Sequence, residues 1–159
     1  LHPLAHSCII QLCARGCIMF ICDISILNRL GKASLDERLQ SIDFSWREMV
    51  VLMVLEKKPG AAQNFIEKFL QTDKSNVTHI IQGLETKELL IRKIREEDRR
   101  YKGLYLTSAS RELLPWLHEQ LKLWQEQCYW GLSQEEIAVY RTMNQRIIDN
   151  LLAFNDFKS

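Results

Sequence analysis

Apolar positions change period several times along this chain, and each change marks an element. From Ser7 to about Gln40 the sequence predicts a helix that is apolar nearly all round. Ile9, Ile10, Leu12, Ile18, Met19, Phe20, Ile21, Ile24, Ile26, Leu27 and Leu30 leave it no consistently polar side. Such a helix needs more than one neighbour to cover it, and in a chain this short the extra neighbour is a second copy. Gly16 and Gly31 are its weak points, each costing about 1 kcal/mol relative to alanine. Ser45 with Glu48 forms a capping box that opens the next helix, which carries the apolar run Met49 to Leu55 and ends at Lys57, Lys58, Pro59 and Gly60. Ala61 to Leu70 reads as a short amphipathic helix through Phe65, Ile66, Phe69 and Leu70. Gln71 and Thr72 turn the chain, and Asp73 stands where it caps a longer helix. There Val77, Ile80, Ile81 and Leu84 fall at i, i+3, i+4 and i+7. Short helix, tight turn and longer helix is helix-turn-helix order.

The longer helix leaves Ser75, His79, Gln82 and Thr86 opposite its apolar stripe, with Asn76 and Thr78 on the flanks. The period then changes to that of a β-hairpin: Leu90 to Glu97 going out, Asp98 to Lys102 at the tip, Gly103 to Thr107 coming back. Ser108 to about Trp130 reads as a long helix in which Pro115 either makes a kink or marks the true beginning. Ser133 and Glu136 form a second capping box, opening a last helix with the stripe Ile137, Tyr140, Ile147, Ile148 and Leu151. The expected fold class is mainly α with a small β-hairpin wing. It is a single domain over 1–159, with a helix-turn-helix and hairpin lobe at 44–107 and long helical regions at 7–41 and 108–154 that would pair with a second copy.

Charge refines this picture locally. The 159 residues carry a formal charge of only +1, so no global polycation draws the chain to nucleic acid. The hairpin is different: Arg92, Lys93, Arg95, Arg99, Arg100 and Lys102 face only Glu96, Glu97 and Asp98. A polar-faced helix followed by a basic hairpin suits a winged helix, with the helix in a major groove and the hairpin astride the backbone. On the helix, Ser75, Asn76, Thr78, His79 and Gln82 can contact phosphates or base edges, and Lys74 in the first turn suits phosphate. An arginine at the tip, Arg99 or Arg100, can enter a narrow minor groove.

Other chemistries find little support. The five cysteines, four of them at Cys8, Cys13, Cys17 and Cys22, have no CxxC spacing and no even pairing. They fit reduced thiols in a cytoplasm better than a disulfide framework or a zinc site. His2, His6 and Cys8 lack a further ligand, and no metal or cofactor is expected. The longest clean apolar run, Cys17 to Cys22, falls far short of the ~18 residues of a membrane span. Only His2 and His6 precede the apolar stretch, which is no positive start for a signal peptide. No phosphate loop, nucleophile elbow or catalytic carboxylate pair can be assembled, so the chain is not read as an enzyme.

LETKELLIRK, DRRYKGLYLT and LSQEE at 132–136 carry a family likeness. Most diagnostic is the Asp-x-Arg of Asp98 and Arg100, followed by a basic residue and by Leu106 and Thr107. The chain resembles the MarR family of bacterial transcription regulators over roughly residues 20–152. The resemblance implies a homodimer that binds a pseudo-palindromic operator in double-stranded DNA, more often as a repressor. Arg100 would be the residue inserted in the minor groove and Asp98 the brace of the wing. It also implies release by a small-molecule effector held between the dimer helices and the DNA-binding lobe, where Phe44, Trp46 and Trp116 are candidate lining residues. Part of the family senses peroxide through a first-helix cysteine, close to the position of Cys22. The tyrosines that assist that thiol in relatives are missing before Tyr101, so a small apolar core residue is the favoured reading of Cys22. The glycine common before the first wing strand is Glu88 here, which leaves the angle between helix and wing open. The rival from another class is a winged-helix protein-interaction module, which the arginines at 99 and 100 disfavour.

Overall fold

The computed structural model describes residues 17–94 and 102–156. They form two compact units, one reaching Lys122 and the other beginning at Leu123.

In the first unit, α1 (Cys17–Leu39) passes through Gly31 without a break and leads into a 3-10 turn, Gln40–Ile42. α2 (Trp46–Lys57) starts at Ser45, whose capping box with Glu48 is complete. Asp36 also accepts a 2.7 Å bond from the Trp46 backbone N–H, tying α1 to the first turn of α2. α3 (Gln63–Leu70) and α4 (Lys74–Thr86) follow as the helix-turn-helix. The hairpin pairs β1 (Leu90–Ile94) with β2 (Lys102–Leu106) in antiparallel register, Leu90 opposite Leu106 and Ile94 opposite Lys102. Lys102 therefore belongs to the returning strand and not to the tip. α5 (Ser108–Cys128) carries Pro115 inside it, so proline does not mark its beginning. That start is set by Thr107, whose Oγ1 accepts from the Ser110 N–H at 3.2 Å.

The core of this unit collects one stripe from each helix. Met49, Val51, Leu52 and Leu55 of α2 are buried, as are Ile66 of α3, Val77, Ile81 and Leu84 of α4, and Leu114 and Leu117 of α5. Leu89, Leu90, Leu104 and Leu106 close it on the sheet side. Each such side chain contributes roughly 1.5–3 kcal/mol on burial.

The loop before α3 adds a third partner to the sheet. The Gly60 N–H donates to the Leu104 carbonyl at 2.9 Å, and the Leu104 N–H donates to the Ala61 carbonyl at 3.0 Å. The backbones cross so closely that a Cβ on Gly103 would stand 2.8 Å from the Gly60 carbonyl oxygen. Glycine is required there by contact with backbone, which cannot move aside as a side chain would.

In the second unit, α6 (Gln134–Asp156) opens with the expected reciprocal cap. The Glu136 N–H donates to Ser133 Oγ at 3.2 Å, and the Ser133 N–H donates to Glu136 Oε2 at 2.7 Å. Tyr129 meets the Tyr140 ring edge-on at 6.2 Å.

Among the described residues, α1 and α6 each leave an apolar face exposed. α1 exposes Phe20, Ile21, Ile24, Ile26, Leu27 and Leu30, and α6 exposes Val139, Tyr140, Met143, Ile147, Ile148, Leu151, Leu152 and Phe154.

Candidate nucleic-acid interface

α4 is built to present one face. Asp73 caps it by accepting the Asn76 N–H at 2.9 Å. That backbone bond, helped by the Asn76 side chain, holds the Asp73 carboxyl below the usual carboxylate range. A lowered value means the cap is fully formed at neutral pH and is lost as pH falls through it. Lys74, Ser75, Asn76, His79, Gln82 and Thr86 are exposed, while Val77, Ile81 and Leu84 are buried. Among the described residues, the side chains of Lys74, Ser75, His79 and Gln82 have no hydrogen-bond partner within the chain, so they are free to meet one outside it.

Two of the expected contact residues are engaged. Thr78 Oγ1 donates to the Lys74 carbonyl at 2.8 Å and accepts from Gln63 Nε2 at 2.9 Å. Its hydroxyl thus locks α4 to α3. The Asn76 amide nitrogen donates to Asp73 Oδ2 and Thr72 Oγ1, so it must let go of one of them to donate to a base. Gln63 was not legible as part of the site, because nothing in the local pattern marks a residue that works through a partner fifteen positions away.

The far end of α4 fixes the wing. The Leu89 N–H donates to the Leu84 carbonyl at 2.9 Å and the Glu88 N–H to the Glu85 carbonyl at 3.0 Å. This is a Schellman ending in which buried Leu84 and Leu89 supply the apolar contact. The C′ residue is Glu88, at φ 57°. The chain thus keeps the left-handed turn without the glycine. Thr107 explains how: its Oγ1 donates to the Glu88 carbonyl at 2.8 Å while also capping α5. Arg92 Nε adds a 3.0 Å bond to Glu85, joining β1 to α4. Replacing Glu88 by glycine removes the Cβ penalty of the left-handed region. It should raise stability in urea denaturation by about 0.5–1 kcal/mol, the gain left after glycine's greater freedom in the unfolded chain. A lower midpoint would mean that the Glu88 side chain holds the turn.

Arg99, Arg100 and Asp98 lie outside the described residues. Of the expected crevice, Phe44 lines a cavity of about 580 Å³ beside α1 and the start of α2, and neither Trp46 nor Trp116 lines it. Trp46 is instead flanked by Lys32 and Arg47, 4.8 and 4.9 Å from its ring centroid. Trp116 is half-buried, and so is Cys22. Among the described residues no helix is long and apolar enough to cross a membrane, and no three His, Cys, Asp or Glu side chains group as metal ligands.

Residues 44–102 match the profile of the MarR family. Solved structures share the fold across most of the chain. The transcriptional regulator SlyA superposes with a TM-score of 0.79 at 17% identity, over 88% of this chain and 99% of that one. A putative MarR family regulator from Listeria monocytogenes, solved with a 26mer DNA, gives 0.76 at 18% identity over 82% and 87%. The S. aureus MepR–DNA complex gives 0.72 at 22% identity over 80% and 93%.

Proposed function

We propose that this chain, whose residues 44–102 are a MarR-family winged helix-turn-helix, regulates transcription by binding duplex DNA as a two-fold homodimer. The observation that carries the reading is α4. Its core stripe is buried against the lobe while Lys74, Ser75, His79 and Gln82 stand exposed and unpartnered among the described residues. Two of the three structures compared above were solved with DNA. Two copies would set their α4 helices in successive major grooves of a pseudo-palindrome, about 34 Å apart, with the wings on the flanking minor grooves. Arg100, or Arg99 beside it, is the wing's contact, braced by Asp98. The uncovered faces of α1 and α6 supply the apolar surface that a second copy would bury.

Blocking a promoter is the mode that follows from such binding, and the chain acts as a repressor. A small molecule that alters the distance between the two α4 helices releases it. Phe44 and the cavity beside it are the place for that effector. Cys22 serves as a packing residue, and its replacement by alanine or serine changes stability without removing the effector response. No catalytic step belongs to this function.

Selection from a random duplex pool tests the DNA claim directly. The purified protein should enrich a sequence with two inverted half-sites, and its affinity for random duplex should fall by several orders of magnitude between 50 and 200 mM salt, since about 6–10 phosphate contacts are expected. No enrichment, together with binding indifferent to salt, would overturn it.

A further inference from the structure

Lys87 follows directly on α4, as its C-cap, yet its ammonium group reaches into the 580 Å³ cavity beside α1 and α2. There Nζ donates to the backbone carbonyl of Asp43 and, at 3.0 Å, to Glu48 Oε1. The Asp43 carboxylate lies 3.9 Å away, and the ring centroid of Phe44 lies 4.9 Å away. A carbonyl, a carboxylate and an aromatic face converge on an ammonium group whose side chain stays 30% exposed, a seat partly withdrawn from water. The seat is thus chemically defined by a cation already in it. Asp36 and Glu37 add two more carboxylates to the wall, giving four against one lysine and a net charge of −3. The volume falls within the range of clefts that hold small organic ligands.

We propose that this cavity binds an amphipathic organic ammonium ion, whose charged group takes the seat of Lys87 and whose apolar body lies on Phe44. The proposal rests on the effector reading above and gives that effector its class. Anions meet four carboxylates, and neutral molecules lack the charge that displaces Lys87. The displacement has a structural consequence. Lys87 is what ties the end of α4 to Glu48 of α2. The Glu48 capping box uses the other oxygen, Oε2, and survives. A ligand in the seat therefore removes the ties from the end of α4 to Asp43 and Glu48, while the bonds from Leu89 to Leu84 and from Thr107 to Glu88 remain and α2 stays intact. DNA and the cation then oppose each other by linkage.

The test uses the full-length protein and three probes of one shape: 2-phenylethylammonium, neutral 2-phenylethanol and anionic 3-phenylpropionate, titrated by calorimetry at pH 7. The cation should bind at least about tenfold tighter than the alcohol, with no detectable binding of the anion. Lys87→Met removes the competitor and should tighten cation binding by about fivefold or more, and Phe44→Leu should weaken it by about threefold or more. Lys87→Gln serves the same purpose if the methionine variant fails to fold. Lysine variants that bind the cation no better than the parent, or an anion that binds as well, would overturn the site. A bound duplex should be released by the cation and not by the alcohol; retention of the duplex at a saturating cation concentration would overturn the link to α4. Duplex binding without any probe is measured alongside. A protein that binds the cation as expected but no duplex refutes the DNA reading and leaves the site standing.

Discussion

At micromolar concentration the protein should sediment at twice its 18.7 kDa chain mass, and glutamate at Leu27 or Leu151 should abolish that species. Both side chains lie on the uncovered faces, Leu27 60% exposed on α1 and Leu151 53% exposed on α6. Within one chain a glutamate there keeps its carboxylate in water and removes only the packing of a side chain already more than half exposed. Between two chains it would be a buried charge without a partner, which costs several kcal/mol per ion after relaxation. The single-chain fold therefore predicts a near-neutral substitution, and the dimer predicts a severe one. A second copy over these faces would add stability by mass action, so the variants should also lose thermal stability in a concentration-dependent way. Binding to a duplex with two half-sites should weaken by about 10²–10⁴, the avidity lost when two linked contacts become one. A stable, soluble monomer of the parent chain at that concentration would sink the claim, as would glutamate variants of undiminished mass.

Elements whose signals are local were legible before any coordinates. The stripe of Val77, Ile81 and Leu84 sets the buried side of α4, and Ser45, Asp73 and Ser133 cap where short-range side-chain bonding places them. What could not be read are the bonds between elements. Lys87 looks like a surface lysine in the sequence, but Glu48, its partner, lies 39 residues earlier. Gly103 looks like a β-strand flaw until the Gly60 loop is laid across it. Thr107 was recognisable as half of a family pair, yet its physical work, holding the Glu88 carbonyl and starting α5 at once, depends on two elements meeting. The hairpin pattern puts Lys102 at the tip, whereas strand register sets it on the returning strand opposite Ile94. Of the interface itself, the sequence identified the exposed residues of α4 but not that Thr78 and Asn76 are already bonded within the chain. Hydroxyl and amide groups satisfy themselves locally when they can, and periodicity reports the face they lie on, not whether they are free.

That distinction separates the expected effects of substitutions along the interface. Gln82 is exposed on α4 with its side-chain amide free among the described residues, and an amide of this kind pairs with adenine in the major groove. Gln82→Ala should cost roughly 1–3 kcal/mol on the selected operator and relax the preference at one base pair in each half-site, with little change on random duplex. Thr78→Val should act differently: it removes the bond from Gln63 and loosens α4 against α3, lowering stability and weakening all duplexes alike. Arg100→Ala, at the wing, should remove one phosphate or minor-groove contact per chain. Affinity for operator and random duplex should then fall together, and the slope of log affinity against log salt should lessen by about one unit per contact. If Arg100 reads groove width instead, the loss should appear as a weaker preference for A·T pairs at the operator flanks. Equal affinities and equal salt slopes for Arg100→Ala, for Arg99→Ala and for the parent protein would show that the wing stays off the DNA.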